Sequence, residues 1–480
     1  MITIIRALLR PRFPLARGFV VGLFSALFLS LCIAHTAQSA TGDLDRTFNN
    51  NGKAVTNFGE GPTAVAIQRD GKIVVVGNIL PAVGPRDFAL VRFTRNGQLD
   101  NTFGDNGKVI TNFGKGSGGG GSGATSYDAA TAVAIQKDGK ILAAGYSNVG
   151  NNDFFDFDFA VARYKIDGTL DKTFGADGKV TTDFKNGSND KAFSIAIQKN
   201  GKIVLAGVSP NTPGFGDFAL ARYNPNGTLD KTFNGNGKVI TDFGSVDEAK
   251  AVAIQKDGKI VASGPTTATH RSVDFGLARY NPDGTLDKSF GHNGRVVTDF
   301  KNDSGDEPNG MTIQPDGKIV VVGLFTPDGS AFDFAVARYT TKGVLDKTFS
   351  GDGKVITDFT NSTDTAYGVA IQPNGKIIVA GDSTSSGTDD FALVRYNING
   401  TLDVTFGKKG KVLTDFKSQF GTSQSDQAYA LSIQKDCKIV AAGISSSDSS
   451  GFAVARYQNS SCGKLDITSA DPSDNNGFSR

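Results

Sequence analysis

Tryptophan is absent from these 480 residues, and methionine, histidine, cysteine and glutamate each occur only two or three times. The lack of Trp removes the commonest platform for stacking a sugar ring, leaving that role to Tyr and Phe. Of the three histidines, His35 lies in the N-terminal segment, while His270 and His292 fall at unrelated places in the pattern described below. There is no Gly-x-Ser-x-Gly, no His-Glu-x-x-His and no Cys/His metal spacing, so no catalytic residue is assigned. Paired carboxylates stay open, because acidic side chains are plentiful and sequence gives no distances. Glutamate is confined to Glu60, Glu248 and Glu307, so nearly all the acid is Asp. Asp and 60 glycines favour turns over helices, and no segment sustains a helical period. An all-β protein is expected.

Long apolar runs are equally scarce. The one exception, Phe19 to Ala34, follows Arg6, Arg10, Arg12 and Arg17 and precedes Ala37, Ser39 and Ala40. That order of charge, short apolar centre and small residues is the order of a secretory signal, so residues 1–40 are read as one. The run is shorter than the ~20 residues a spanning helix needs, and no membrane span is expected after its removal. Leu31 before Cys32 is too bulky for the usual lipoprotein signal. Without residues 1–40 the chain holds 46 basic and 48 acidic residues, a net charge of −2. No basic patch stands out, which argues against nucleic acid as a partner. A periplasmic, secreted or cell-surface monomer is expected.

The rest of the sequence repeats one unit. Leu-Asp recurs at Leu44, Leu99, Leu170, Leu229, Leu286, Leu345, Leu402 and, in a broken copy, Leu465, with spacings of 55, 71, 59, 57, 59, 57 and 63 residues. A fixed period means one supersecondary unit stacked on itself. In a typical copy, Ala251–Gln255 and Lys259–Gly264 flank Asp257-Gly258, a hairpin signal. The run Asp274–Tyr280 alternates as a third strand. A Pro-Gly turn at Asn281–Gly284 leads to Thr285–Phe290, counted as a fourth strand, and Gly294–Phe300 reads as a fifth strand or an ordered connection. Four strands in about 57 residues is the size of a propeller blade, and seven copies make a seven-bladed β-propeller spanning residues 41–466. The chain starts at the end of a unit (Leu44–Phe48, Gly52–Val55) and ends at the start of one. If the Ala-Ile-Gln strand is innermost, the N-terminal segment therefore closes the ring and removes exposed edges. Residues 467–480 form a polar tail, expected to be disordered. In this scheme Cys437 and Cys462 sit at the same end of adjacent strands, and a disulfide between them is expected in an oxidising compartment.

Four recurrent runs carry a family resemblance: Leu-Asp-x-Thr-Phe-Gly (Leu170–Gly175), Gly-Lys-Val-x-Thr-Asp-Phe (Gly178–Phe184), Ile-Gln-x-Asp-Gly-Lys-Ile (Ile254–Ile260) and Asp-Phe-Ala-Leu-Ala-Arg-Tyr (Asp217–Tyr223). They resemble the delta-60 repeat family of bacterial exported and surface proteins over nearly all of residues 42–466. The resemblance implies a β-propeller and lends no catalytic residue. The hairpin is also similar to that of NHL-type blades. Departures are Cys437 for Gly, Gly451 for Asp, and Asn234 or Ser350 for the Gly after Thr-Phe.

Three groups of residues invite a role. Arg92, Arg163, Arg222, Arg279, Arg338, Arg395 and Arg456 occupy equivalent positions. A ring of cations for an anionic ligand is one reading. The favoured reading is structural, with each Arg paired to the Asp of a neighbouring Leu-Asp, since a residue present in every repeat serves the scaffold. The loops Asn224–Asp230 and Asn281–Asp287 hold several oxygen side chains, but calcium wants about six to eight ligands, and turn chemistry explains the same residues. No cofactor is expected beyond that calcium alternative. The second repeat is the odd one, with a Gly-rich insertion at Gly114–Gly123 and an acidic-aromatic loop at Asn151–Phe159. Within that loop Asp153, Phe154, Phe155 and Asp156 are taken as a binding surface, because variable loops on a rigid scaffold carry binding. The function expected is a binding scaffold for a protein or glycan. The alternatives are a polysaccharide hydrolase or lyase with its site at the central channel, and a rigid structural module.

Overall fold

The computed structural model describes residues 40–459, except 81–85, 115–126, 149–155, 186, 213–214, 245, 268–271, 302–303, 328–330, 418–423 and 447–450. The expected signal segment, the tail and Leu465–Thr468 lie outside these residues. The described chain is all strand, turn and loop, arranged as a seven-bladed propeller.

Each blade is a four-stranded antiparallel sheet whose strands, a to d, run outward in chain order. In blade 2 they are Asp128–Ile135, Ile141–Ser147, Asp158–Tyr164 and Lys179–Thr182. The other blades span 61–111, 191–241, 251–298, 305–357 and 364–414, and the seventh is 426–457 completed by 53–56. The a strands of successive blades touch all round the ring, so the Ala-Ile-Gln strand is innermost. Closure comes from Lys53–Thr56, which pairs antiparallel with Phe452–Ala455 as strand d of blade 7. This blade is therefore built from an N-terminal strand d and C-terminal strands a to c.

Two details differ from the sequence reading. The Thr285–Phe290 segment is not a strand: it makes one bridge, Tyr280 to Leu286, and then turns. The fourth strand is Arg295–Thr298, the run left open between strand and connection. The a–b hairpin is a three-residue loop in which the Gln68 carbonyl accepts the Gly71 N–H, and Gly71 has φ +86°. The glycine is needed there because an L side chain is disfavoured in that region. Cys437 takes the same place with φ +71°. The core lies between blades, where Phe88, Leu90 and Val76 of blade 1, for example, pack with Ala130, Val133 and Ala143 of blade 2.

Strand c sets the polarity of the ring. Its seven residues run from Asp at the first position to Arg at the sixth, placing these groups roughly 17 Å apart at opposite faces. The Arg face carries the short a–b and c–d turns, alike in every blade. The Asp face carries the b–c loops and d–a connections, where repeats differ in length.

Candidate functional site

On the Arg face every repeat builds the same knot. The Arg guanidinium is 2.7–2.9 Å from the Leu-Asp carboxylate, from Arg92–Asp100 to Arg395–Asp403. Arg456 meets Asp45 at 2.7 Å, across the chain ends. A Lys from the a–b turn reaches the same carboxylate at 2.6–3.0 Å, as Lys72 does to Asp100 and Lys438 to Asp45. The Thr or Ser two residues on bonds the Asp, and the Phe after it lies under the guanidinium with its ring centroid 4.4–4.8 Å away. Arg92 also donates to the Ile166 carbonyl and Arg163 to that of Pro225, each in the next blade, and Arg456 to Arg95 closes the circle. The residue after Phe donates to the next c–d turn, as Gly104 does to Asp167. Asn49, Asn234 and Ser350 keep this geometry at φ +46°, +50° and +53°, beside +51° for Gly104. Burial pushes these carboxyls up, but the hydrogen bonds from Lys and Thr outweigh it, and Asp45, Asp346 and Asp403 end at about 2. The knots consume every member of the Arg ring, leaving these guanidinium groups paired and buried.

The oxygens of Asn224–Asp230 and Asn281–Asp287 are taken up in the same way. Asp283 and Asn226 accept from Thr285 and Thr228 inside the turn, while Asp230 and Asp287 belong to the knots.

The Asp face is different. Five blade junctions gather three aspartates each, with carboxylate oxygens within 4.8 Å of one another: Asp158/Asp183/Asp190, Asp217/Asp242/Asp247, Asp274/Asp299/Asp306, Asp333/Asp358/Asp364 and Asp390/Asp415/Asp426. The first of each trio opens strand c, the second comes from Thr-Asp-Phe, and the third starts the next blade. That third Asp latches the blades, accepting the Phe N–H of Thr-Asp-Phe at 2.6–2.7 Å. Burial and the neighbouring carboxylates push Asp158 and Asp306 up to about 7 and Asp426 to about 6. At the junction of blades 1 and 2, Asn112 replaces the middle Asp and donates its amide to Asp87 at 2.7 Å. At the closing junction Gly451, Asn57 and Glu60 stand at the three positions. The sequence reading missed these trios, although their signal was present as three aspartates at recurrent offsets.

Around the innermost strands on this face lie side chains that vary between blades. Strand a carries a bulge at Thr63, Thr131, Phe193, Asn309, Tyr367 and Tyr429. Thr63, Thr131 and Asn309 use it to bond the next a strand at 2.8–3.1 Å. Two arcs follow. In the first, Glu60 pairs with Arg86 at 2.6 Å, and Arg86 donates to the Tyr127 hydroxyl at 2.6 Å. Tyr127, Tyr146 and Phe157 form an aromatic trio with centroids 5.1–6.4 Å apart. Lys191 lies 4.8 Å from the Phe157 ring and 5.3 Å from Tyr146, and beyond it Lys250 lies 4.4 Å from Phe193. In the second arc Tyr367 meets Tyr429 edge-on at 5.1 Å, and Asp389 accepts from Ser425 and Gln427. Asp382, beside Tyr367, is pushed up to about 8 by burial and by Asp389 and Asp364. Of the expected binding loop, Asp156 is half-buried next to the aromatic trio, while Asp153, Phe154 and Phe155 lie outside the described residues. So does Cys462, and with it the expected pairing to Cys437.

Comparison with known families agrees with this architecture. Residues 68–103, 136–174, 198–233, 255–290, 314–349 and 372–406 match the family described as "Domain of unknown function (DUF5122) beta-propeller". Each match runs from the a–b turn to the Phe of the knot. The chain is thus a β-propeller repeat protein, whose seventh unit is divided between its two ends. No curated protein matches it. Among solved structures, a protein of unknown function from Dyadobacter fermentans is 12% identical, with a TM-score of 0.43 over 69% of this chain and 94% of its own. A PL25 ulvan lyase is 11% identical, with a TM-score of 0.47 over 87% and 95%. Sqt1 from Chaetomium thermophilum is 10% identical, with a TM-score of 0.45 over 87% and 99%. Likeness this distant assigns no activity to the chain.

Proposed function

We propose that the chain is an exported binding scaffold, related to the delta-60 repeat proteins, that takes a protein or glycan on its Asp face. The observation that carries this is the first arc. Repeat-equivalent side chains are occupied in holding blades together, whereas Tyr127, Tyr146 and Phe157, flanked by Arg86 and Lys191, serve no repeated purpose. Two partly exposed tyrosine rings backed by the buried Phe157, with cations over the ring faces, suit a flat, hydroxylated or anionic surface. Asp156, the described member of the acidic-aromatic loop, directly precedes Phe157. The test is the melting temperature of the chain across a panel of polysaccharides and envelope proteins, repeated with Tyr146→Ala and Lys191→Ala. A ligand that binds the folded state raises it by mass action, and both variants should lose that shift. A flat panel, or a shift the variants retain, removes this reading. The Cys437–Cys462 disulfide belongs to the same proposal and predicts a two-hydrogen mass deficit after alkylation.

A polysaccharide hydrolase or lyase is a second reading, favoured by Asp382. A buried carboxyl raised to about 8 beside Tyr367 holds its proton at neutral pH and is suited to general acid work. Product release from the same panel, abolished in Asp382→Asn, would put this reading first.

A further inference from the structure

The aspartate trios ask why like charges are gathered where blades meet. Asn112 provides an internal control: one amide donating to Asp87 satisfies the junction of blades 1 and 2 without a concentration of charge. At the junction of blades 6 and 7, Asp415 stands where that amide would be. Asp390 is 2% exposed, its Oδ2 accepts from Ser386, and its Oδ1 is buried with no hydrogen-bond partner. A desolvated carboxylate oxygen left bare is costly, and Asp390 belongs to a carboxylate trio with Asp415 and Asp426. The two nearby cations do not serve it. Lys53 donates to the Asp415 main-chain carbonyl at 2.9 Å, and Lys417 is an exposed residue whose backbone N–H bonds Asp415 Oδ1.

We infer that Asp390, Asp415 and Asp426 form a divalent-cation site that ties blade 6 to blade 7, repeated in kind at the four other aspartate trios. The donors are all hard oxygens, without His or Cys, which selects calcium or magnesium over zinc. Asp426 Oδ2 is already held by the Phe416 N–H at 2.7 Å, so the trio supplies only part of the six to eight oxygens calcium takes. Water would complete the shell, and calcium's tolerance of irregular geometry favours it over magnesium. The cation would also relieve the repulsion that helps push Asp426 up to about 6. This inference is independent of which ligand the Asp face binds.

The test is equilibrium dialysis of the EDTA-stripped full chain against calcium, and separately magnesium, at pH 7, with melting temperature read in parallel. Calcium is expected to bind at up to five ions per chain and to raise the melting temperature. Asp415→Asn copies the arrangement the chain already tolerates at Asn112, so it should fold and lose one ion. Asn112→Asp should gain one. Absence of calcium and magnesium binding at millimolar concentration overturns the proposal, as does a stoichiometry that Asp415→Asn and Asp390→Asn leave unchanged.

Discussion

The two faces of the ring use aspartate in opposite ways. On the Arg face, Asp100 and its six counterparts are buried against an Arg, a Lys and a Thr, and their carboxyls are held well below the ordinary range. On the Asp face, Asp306 and Asp426 are equally buried but face other aspartates, and their carboxyls are held well above it. Burial raises both; on the Arg face hydrogen bonds and the Arg outweigh it, whereas on the Asp face neighbouring carboxylates add to it. The first arrangement occurs at every junction and completes itself. The second occurs at five of seven, and Asn112 shows how little is needed to dispense with it.

Breaking the compensated side should have the largest effect. Asp171→Ala leaves Arg163 and Lys140 without their carboxylate, and orphaning a buried Arg costs about 3–5 kcal/mol. Urea unfolding should register that loss. A change under 1 kcal/mol would mean the knots matter little.

A pH series separates the two faces in one experiment. On the Asp face the folded pKa lies above the unfolded value, so the folded state holds protons that the unfolded chain releases. Without divalent ions, stability should therefore fall as pH rises from about 4 to 7, through the values of Asp426, Asp158 and Asp306. Asp45, Asp346 and Asp403 work in the other direction. Their contribution is complete above the ordinary value of 3.8 and is lost as pH falls toward about 2. Thermal melts in EDTA should thus peak near pH 4 and decline on both sides, and calcium should flatten only the upper limb. A monotonic rise to pH 7 in EDTA would contradict the charge assignment of the Asp face.

The smallest effect tests the closing junction, where the aspartate trio is lost but the knot is kept. In blades 2 to 7 the hydroxyl of the Tyr ending strand c is hydrogen-bonded to a Thr hydroxyl of the preceding blade at 2.8–2.9 Å, as Tyr164 is to Thr111. Blade 1 has Phe93 instead, and the Thr56 hydroxyl is buried with no partner. Phe93→Tyr should restore the bond and add about 1 kcal/mol, measured by the same unfolding. No gain would show that the junction between chain ends has relaxed away from the repeat geometry.

The repeat, the all-β class, the blade count and the closure are legible in the amino-acid sequence, because period-two alternation and Gly-containing turns are local signals that recur at fixed spacing. The pairing of strand-c Arg with Leu-Asp was also readable, since a buried cation present in every unit requires an equally recurrent anion. Other features were beyond its reach. Thr285–Phe290 was misread as a strand because its Thr, Leu and Phe have strand propensity, while its register is set by Asp287 turning to meet Arg279 and Lys259. Tyr127, Tyr146 and Phe157 stand on three different segments, and nothing local foretells that their rings meet. The aspartate trios combine two strands of one blade with the first residue of the next. Only the ring, by fixing the distance between neighbouring blades, brings those three carboxylates to one point.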